Sequence, residues 1–191
     1  MKLSIVSASV ALAFGVASFQ ASAANDGTIN FTGNVSATTC QINGQQPGQN
    51  LANVNVNLKN VSTSALAQAG DTANTAGFQI VVGGAGETAC TNGSTAYVRF
   101  DPTSAAIDPN SGRLNTDAGA GAASNVQIQV LNGATAGTGT GSVIDLRSQD
   151  SQGVVIANNT ATINLAAQYY ATGAATAGTV ASRVGYQVVF N

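Results

Sequence analysis

Catalytic and metal-binding chemistry has little to draw on in this chain. Histidine is absent altogether, which removes the commonest general base near neutral pH and, with it, Ser-His-Asp and Cys-His arrangements. Glu87 is the sole glutamate and sits near Cys90 in a glycine-rich turn. Asp145 and Asp150 are a pair of carboxylates of the kind a glycosidase uses, but two aspartates around a polar turn read more simply as solvated loop residues. Asp101, Asp108 and Asn110 offer oxygen ligands to calcium, yet their spacing fits no EF-hand loop, and Asp-Pro and Pro-Asn pairs are common turn formers. The alternation Gly137-Thr138-Gly139-Thr140-Gly141 lacks the flanking strand, helix and lysine of a phosphate-binding loop. The expectation is a protein that is not an enzyme and holds no cofactor or metal.

Cys40 and Cys90 are the only cysteines, and their chemistry depends on the compartment. Lys2, an uncharged apolar stretch from Leu3 to Phe19 and the small triplet Ala21-Ser22-Ala23 follow the order of a secretory signal peptide. Export makes a structural disulfide the default reading, with a metal pair or a reactive thiol as the alternatives. Closing a loop of about 50 residues removes about 4 kcal/mol of chain entropy from the unfolded state.

Cleavage after Ala23 leaves one domain's length of chain. It carries five basic residues (Lys59, Arg99, Arg113, Arg147, Arg183) against eight acidic ones. The bases are scattered, which excludes nucleic acid as a partner, because affinity for phosphate backbones comes from clustered Lys and Arg. Charged residues make up 7% of the sequence, against roughly 25% in ordinary soluble domains. Asn, Gln, Ser and Thr must supply the polar surface.

The elements that position these residues read as strands. Ile29, Phe31, Gly33 and Val35 fall on one face of an alternating run, and Val54-Asn55-Val56-Asn57-Leu58 repeats the rhythm. Further runs cover Gly77 to Val82, Ala96 to Phe100, Val126 to Leu131, Thr160 to Tyr170 and Val184 to Phe190. Separated by Gly, Asn, Asp and Ser, they predict an all-β sandwich. A short helical turn is read near Thr63 to Ala69, and the stretches Asp117 to Ser124 and Gly133 to Ser142 read as loops or edge segments. The first alternating run needs cover for Ile29 and Phe31, and composition alone makes it simply the first strand of the domain's own sheet.

Gly27 to Val35, with Cys40 five residues on, resembles the N-terminal extension and first cysteine of major subunits of chaperone-usher fimbriae, notably type 1 pilins. Ala167 to Gly178 resembles that family's penultimate strand and turn, and Asn125 to Leu131 a middle strand. The resemblance implies an incomplete immunoglobulin-like sandwich completed by a donor strand from a neighbouring subunit. It implies residues 1–23 as signal peptide, 24–36 as the donor extension and 37–191 as the pilin domain. Ile29, Phe31, Gly33 and Val35 would be inserted, with glycine marking a shallow pocket or a close backbone approach. Val184, Tyr186, Val188, Phe190 and Asn191 would form the strand that borders the groove and faces the chaperone, whose basic residues hold the terminal carboxylate. At Phe190 these pilins commonly carry tyrosine. The implied partners are other copies of the chain in a head-to-tail polymer, a periplasmic chaperone, an outer-membrane usher, and tip or adaptor subunits. The implied destination is an adhesive fibre on the bacterial surface, reached through the periplasm. A minor adaptor or tip pilin, or a carbohydrate-binding module using Tyr97, Tyr169, Tyr170 or Tyr186, is the alternative.

Overall fold

A computed structural model describes residues 40–46, 52–133 and 141–191. The signal peptide, the extension with Ile29, Phe31, Gly33 and Val35, and residues 134–140 of the glycine-rich stretch lie outside the described residues.

Among the described residues, seven strands form two antiparallel sheets. β1 (Thr72–Gly83), β6 (Thr160–Ala171), β4 (Val126–Asn132) and β3 (Leu114–Asn115) make one in the order β1-β6-β4-β3. β5 (Val154–Val155), β2 (Thr95–Phe100) and β7 (Tyr186–Phe190) make the other in the order β5-β2-β7. A 3-10 turn, Thr63–Leu66, stands where the sequence predicts a helical turn, with the Ser62 side chain accepting from the Ser64 amide. The all-β sandwich is therefore as expected.

Alternation explains the layering. Ala161, Ile163, Leu165, Ala167, Tyr169 and Ala171 turn one face of β6 inward, and Ile80 and Val82 of β1 and Ala96, Val98 and Phe100 of β2 do the same. Ile144, Leu146 and Ile156, from connecting segments, complete the core. Fully burying each large apolar side chain contributes about 1.5–3 kcal/mol. The outward face of the larger sheet departs from simple polar-out alternation, because Gln127, Gln129 and Gln168 are buried there. Their amides are satisfied across strands: Gln168 accepts from Thr75 and donates to Gln129, while Gln127 accepts from Ser111 and donates to Asn115. The Arg113 guanidinium lies 3.6 Å from the centre of the Tyr170 ring. Burial of these amides is tolerated because each is hydrogen-bonded.

Cys40 and Cys90 are joined in a disulfide with 4.7 Å between their Cα atoms, which closes the metal and free-thiol alternatives. Both are fully buried. Beyond Cys40, the turn Gln41–Gln45 hangs on the end of β1: the Gly83 amide donates to the Gln41 carbonyl, and Asn43 takes both backbone groups of Val81. The Asn43-Gly44 pair adopts φ of 50° and 74°, the left-handed pair that a tight turn of this kind demands. Gly83 has φ +71°, and a Cβ there would overlap the Asn159 carbonyl and come 2.7 Å from Cys90 Sγ. Only glycine lets this strand end pass the disulfide.

A charged pin joins two loops elsewhere in the fold. Arg147 forks onto Asp145 (Nε to Oδ1 2.9 Å, Nη2 to Oδ2 2.6 Å) and donates to the Pro109 carbonyl. The Arg147 side chain, helped by its own backbone amide, holds the Asp145 carboxyl down at about 2. A folded-state value below the ordinary carboxylate range contributes stability above that range and loses it as pH falls. Asp145→Asn is accordingly expected to be less stable than the parent at pH 7, by up to about 1 kcal/mol for an exposed pair. Urea unfolding as a function of pH should show that gap closing as the pH drops through about 2.

Candidate strand-binding groove

Among the described residues the edge strand β7 is paired on one side only. It runs antiparallel to β2 with Tyr97 opposite Val189, Val98 opposite Val188 and Phe100 opposite Tyr186. Hydrogen bonds between Thr95 and Asn191 in both directions, and from the Asp101 amide to the Gly185 carbonyl, fix which peptides face β2. By the alternation of an antiparallel ladder, those of Gly185, Gln187, Val189 and Asn191 do. The peptide groups of Val184, Tyr186, Val188 and Phe190 therefore face the other edge, where no strand pairs with them among the described residues.

Their side chains have the matching deficiency. From Val180 to Val188 every second residue (Val180, Ser182, Val184, Tyr186, Val188) is half-buried, and Ala181, Arg183, Gly185 and Gln187 between them are exposed. Val184, Tyr186, Val188 and Phe190 pack against the main core without being fully covered by it. A second extended run repeats this state. Ala52, Val54, Val56 and Leu58 are half-buried, while Asn53, Asn55 and Asn57 are exposed. Tyr186 ties the two runs together, its Oη donating to the Ala52 carbonyl at 2.5 Å. Burial pushes the Tyr186 phenol up, partly opposed by a hydrogen bond with Asn43, so it is a neutral donor at physiological pH.

Backbone bookkeeping is the sharper signal. From Asn53 to Leu58 no peptide group makes a backbone hydrogen bond to any described residue. The run ends at Lys59, whose φ is +56°; its amide takes the Asn57 side chain and its carbonyl accepts from Tyr169 Oη at 2.9 Å. Strand-like alternation without a ladder is unusual, because backbone donors and acceptors beside a core need partners. Here the structure brings the C-terminal run singled out in the sequence together with a run, Ala52–Leu58, whose rhythm was legible from Val54 to Leu58 but whose role was not.

The residues considered for chemistry are otherwise occupied. Glu87 Oε1 accepts from the Gln41 amide at 2.7 Å, beside the disulfide. Asp145 and Asp150 do not act as a pair: Asp145 binds Arg147, and Asp150 binds Arg99 at 2.7 Å. Asp101 and Asp108 accept from the turns that follow them, at Thr103 and at Asn110 and Ser111. Three of the four tyrosines are engaged by other groups of the chain, Tyr169 and Tyr186 through their hydroxyls and Tyr170 by the Arg113 guanidinium over its ring. That weighs against the sugar-stacking alternative.

Comparison with known proteins agrees with this geometry. A family model described as fimbrial protein matches residues 29–190. The chain is 39% identical over 176 residues to the major fimbrial subunit SMF-1 of Stenotrophomonas maltophilia, covering 88% of this chain and 94% of that one. It is 37% identical over 175 residues to the F17 fimbrial protein of Escherichia coli, covering 91% and 92%. The crystal structure of the P pilus rod subunit PapA shares the fold, with a TM-score of 0.53 at 16% identity over 80% of this chain and 99% of that one. This all-β sandwich, matched along nearly its whole described length, thus belongs to the fimbrial protein family.

Proposed function

We propose that this structural pilus subunit polymerises head to tail, each copy laying its N-terminal strand, Gly27 to Ser36, into the groove between β7 and Ala52–Leu58 of the next. The supporting observation is that both flanks of the groove offer backbone groups without partners among the described residues. A strand added there gains hydrogen bonds on both sides, while alternate side chains complete the half-covered core. Ile29, Phe31 and Val35 supply apolar anchors, each contributing about 1.5–3 kcal/mol on burial. Every strand pair in the two sheets is antiparallel. An antiparallel register that begins with Ile29 opposite Phe190 sets Phe31 opposite Val188, Gly33 opposite Tyr186 and Val35 opposite Val184. Gly33 then meets the one groove residue whose ring is braced to the facing run.

The same groove needs cover before the fibre forms. A periplasmic chaperone fills it, holding the Asn191 carboxylate with basic residues, and an outer-membrane usher exchanges that cover for the next subunit's strand. Tip or adaptor subunits begin the fibre, which ends on the cell surface. The role is structural and needs neither catalysis nor a cofactor. Hydrogen exchange tests the register directly. A synthetic peptide of residues 24–36, added to the chain lacking them, is expected to slow exchange at the amides of Asn53 to Leu58 and of Tyr186, Val188 and Phe190. Binding with unchanged exchange at those amides would place the strand elsewhere.

A further inference from the structure

Asn43, Asn92 and Asn132 are the asparagines that precede glycine in the sequence. Such a pair can react with itself, because a residue without a side chain leaves its amide nitrogen open to the carbonyl of the asparagine side chain before it. All three side-chain oxygens are held alike, by a backbone amide distant in sequence. Asn43 Oδ1 accepts from Val81 at 2.7 Å, Asn92 Oδ1 from Asn159 at 2.6 Å and Asn132 Oδ1 from Gln152 at 2.6 Å. A donor so placed steadies negative charge that develops on the oxygen. The glycine amides differ. That of Gly93 donates to the Ile156 carbonyl at 2.9 Å, and that of Gly133 to the Asn164 carbonyl at 3.0 Å. The Gly44 amide makes no hydrogen bond among the described residues, since it stands at the outer corner of the turn closed by the mutual bonds of Ile42 and Gln45.

We propose that Asn43 is a site of spontaneous deamidation in the folded subunit, and that the fold spares Asn92 and Asn132. The proposal stands apart from the polymer reading above. The Gly44 nitrogen gives its proton to hydroxide and attacks Asn43 Cγ. The new C–N bond pushes an electron pair onto Oδ1, where the Val81 amide is already donating. The pair returns, the Cγ–Nδ2 bond breaks, and the side-chain nitrogen takes a proton from water and leaves as ammonia. Water then opens the cyclic imide at either carbonyl, so that one water is consumed and one ammonia released overall. The products are aspartate, and isoaspartate with an extra carbon in the backbone. Either puts a carboxylate beside the Tyr186 phenol, which the Asn43 side chain adjoins, and isoaspartate also lengthens a two-residue turn. At Asn92 and Asn132 the same attack must first break the glycine's bond to its carbonyl, a hydrogen bond that lowers the rate by about two- to tenfold.

Incubating the folded full chain in mildly alkaline buffer, with peptide mapping by mass spectrometry at intervals, tests this. Conversion at Asn43 is expected to run about two- to tenfold ahead of conversion at Asn92 and Asn132. In urea with the disulfide reduced, the three should converge on comparable rates, because only the fold distinguishes them. Equal rates in the folded chain would overturn the proposal. So would an Asn43 that stays intact there while the unfolded chain converts, since the Val81 bond would then be protecting it. Gly44→Asn keeps a residue that tolerates the left-handed turn and crowds the attacking nitrogen, and it is expected to stop conversion at Asn43. Continued conversion in that variant would assign the lost ammonia to direct hydrolysis and remove Gly44 from the reaction. Its urea midpoint reports whether the fold has held, and if it has not, the parent's three rates decide the matter alone.

Discussion

Gly33→Asn is expected to abolish polymer growth while the subunit remains soluble and bound to its chaperone. In the antiparallel register the new side chain would meet the Tyr186 ring, which cannot withdraw freely because its hydroxyl is bonded to the Ala52 carbonyl. Forcing extra atoms into a filled site costs about 1–3 kcal/mol, and burying an amide without partners costs about 1–3 kcal/mol more on protein mutational scales. Together these weaken strand insertion by about 30-fold to 10⁴-fold, given tenfold for each 1.4 kcal/mol. The ladder of polymers on an unboiled denaturing gel is the readout, with co-purification of chaperone as the control for folding. Ladders of parental length would disprove the pairing of Gly33 with a constricted point. Gly33→Ala adds one methyl group and is expected to fall between the two.

Replacing both Cys40 and Cys90 by alanine is expected to have the largest effect on the subunit itself. The cross-link spans 50 residues, and restoring the freedom of that loop to the unfolded chain costs about 4 kcal/mol, much of a typical domain's 5–15 kcal/mol. At a urea dependence of about 1–3 kcal/mol per molar, the midpoint falls by about 1–4 M. The damage reaches the groove as well. Cys40 anchors the Gln41–Gln45 turn, whose Asn43 bonds both backbone groups of Val81 and lies close enough to the Tyr186 phenol to oppose its upward shift. The double variant should therefore lose strand binding at urea concentrations where its sheets persist. An unchanged midpoint would show that the sheets alone hold the fold.

The long strands were legible because their alternation runs over five or more residues. Gly77 to Val82 and Thr160 to Tyr170 fall inside β1 and β6, and Ala96 to Phe100 and Val126 to Leu131 fall inside β2 and β4. β3 and β5, two residues each, are too short to show a period and exist only because β4 and β2 provide a partner edge. The left-handed asparagines at 43, 74, 125, 158 and 159 mark turns and a bulge that polarity alone does not locate. At the groove, the Val184–Phe190 run was visible, but an ordinary closing strand has the same pattern. What would separate the two is the set of backbone partners, a property of tertiary placement. The same holds for Ala52–Leu58, where only the missing ladder gives the alternation its meaning, and for Gln127, Gln129 and Gln168, buried by a network that no spacing rule anticipates.

If the fibre forms as proposed, the groove's orientation also decides how it bears load. A strand lying lengthwise between β7 and Asn53–Leu58 is pulled along its own axis when the fibre is stretched. Every hydrogen bond on both flanks is then sheared together, whereas a strand lifted from one end gives way bond by bond. Each link would thus resist a rising force until the whole row slides at once, and under sustained tension the lifetime of the fibre is set by the rate of that step.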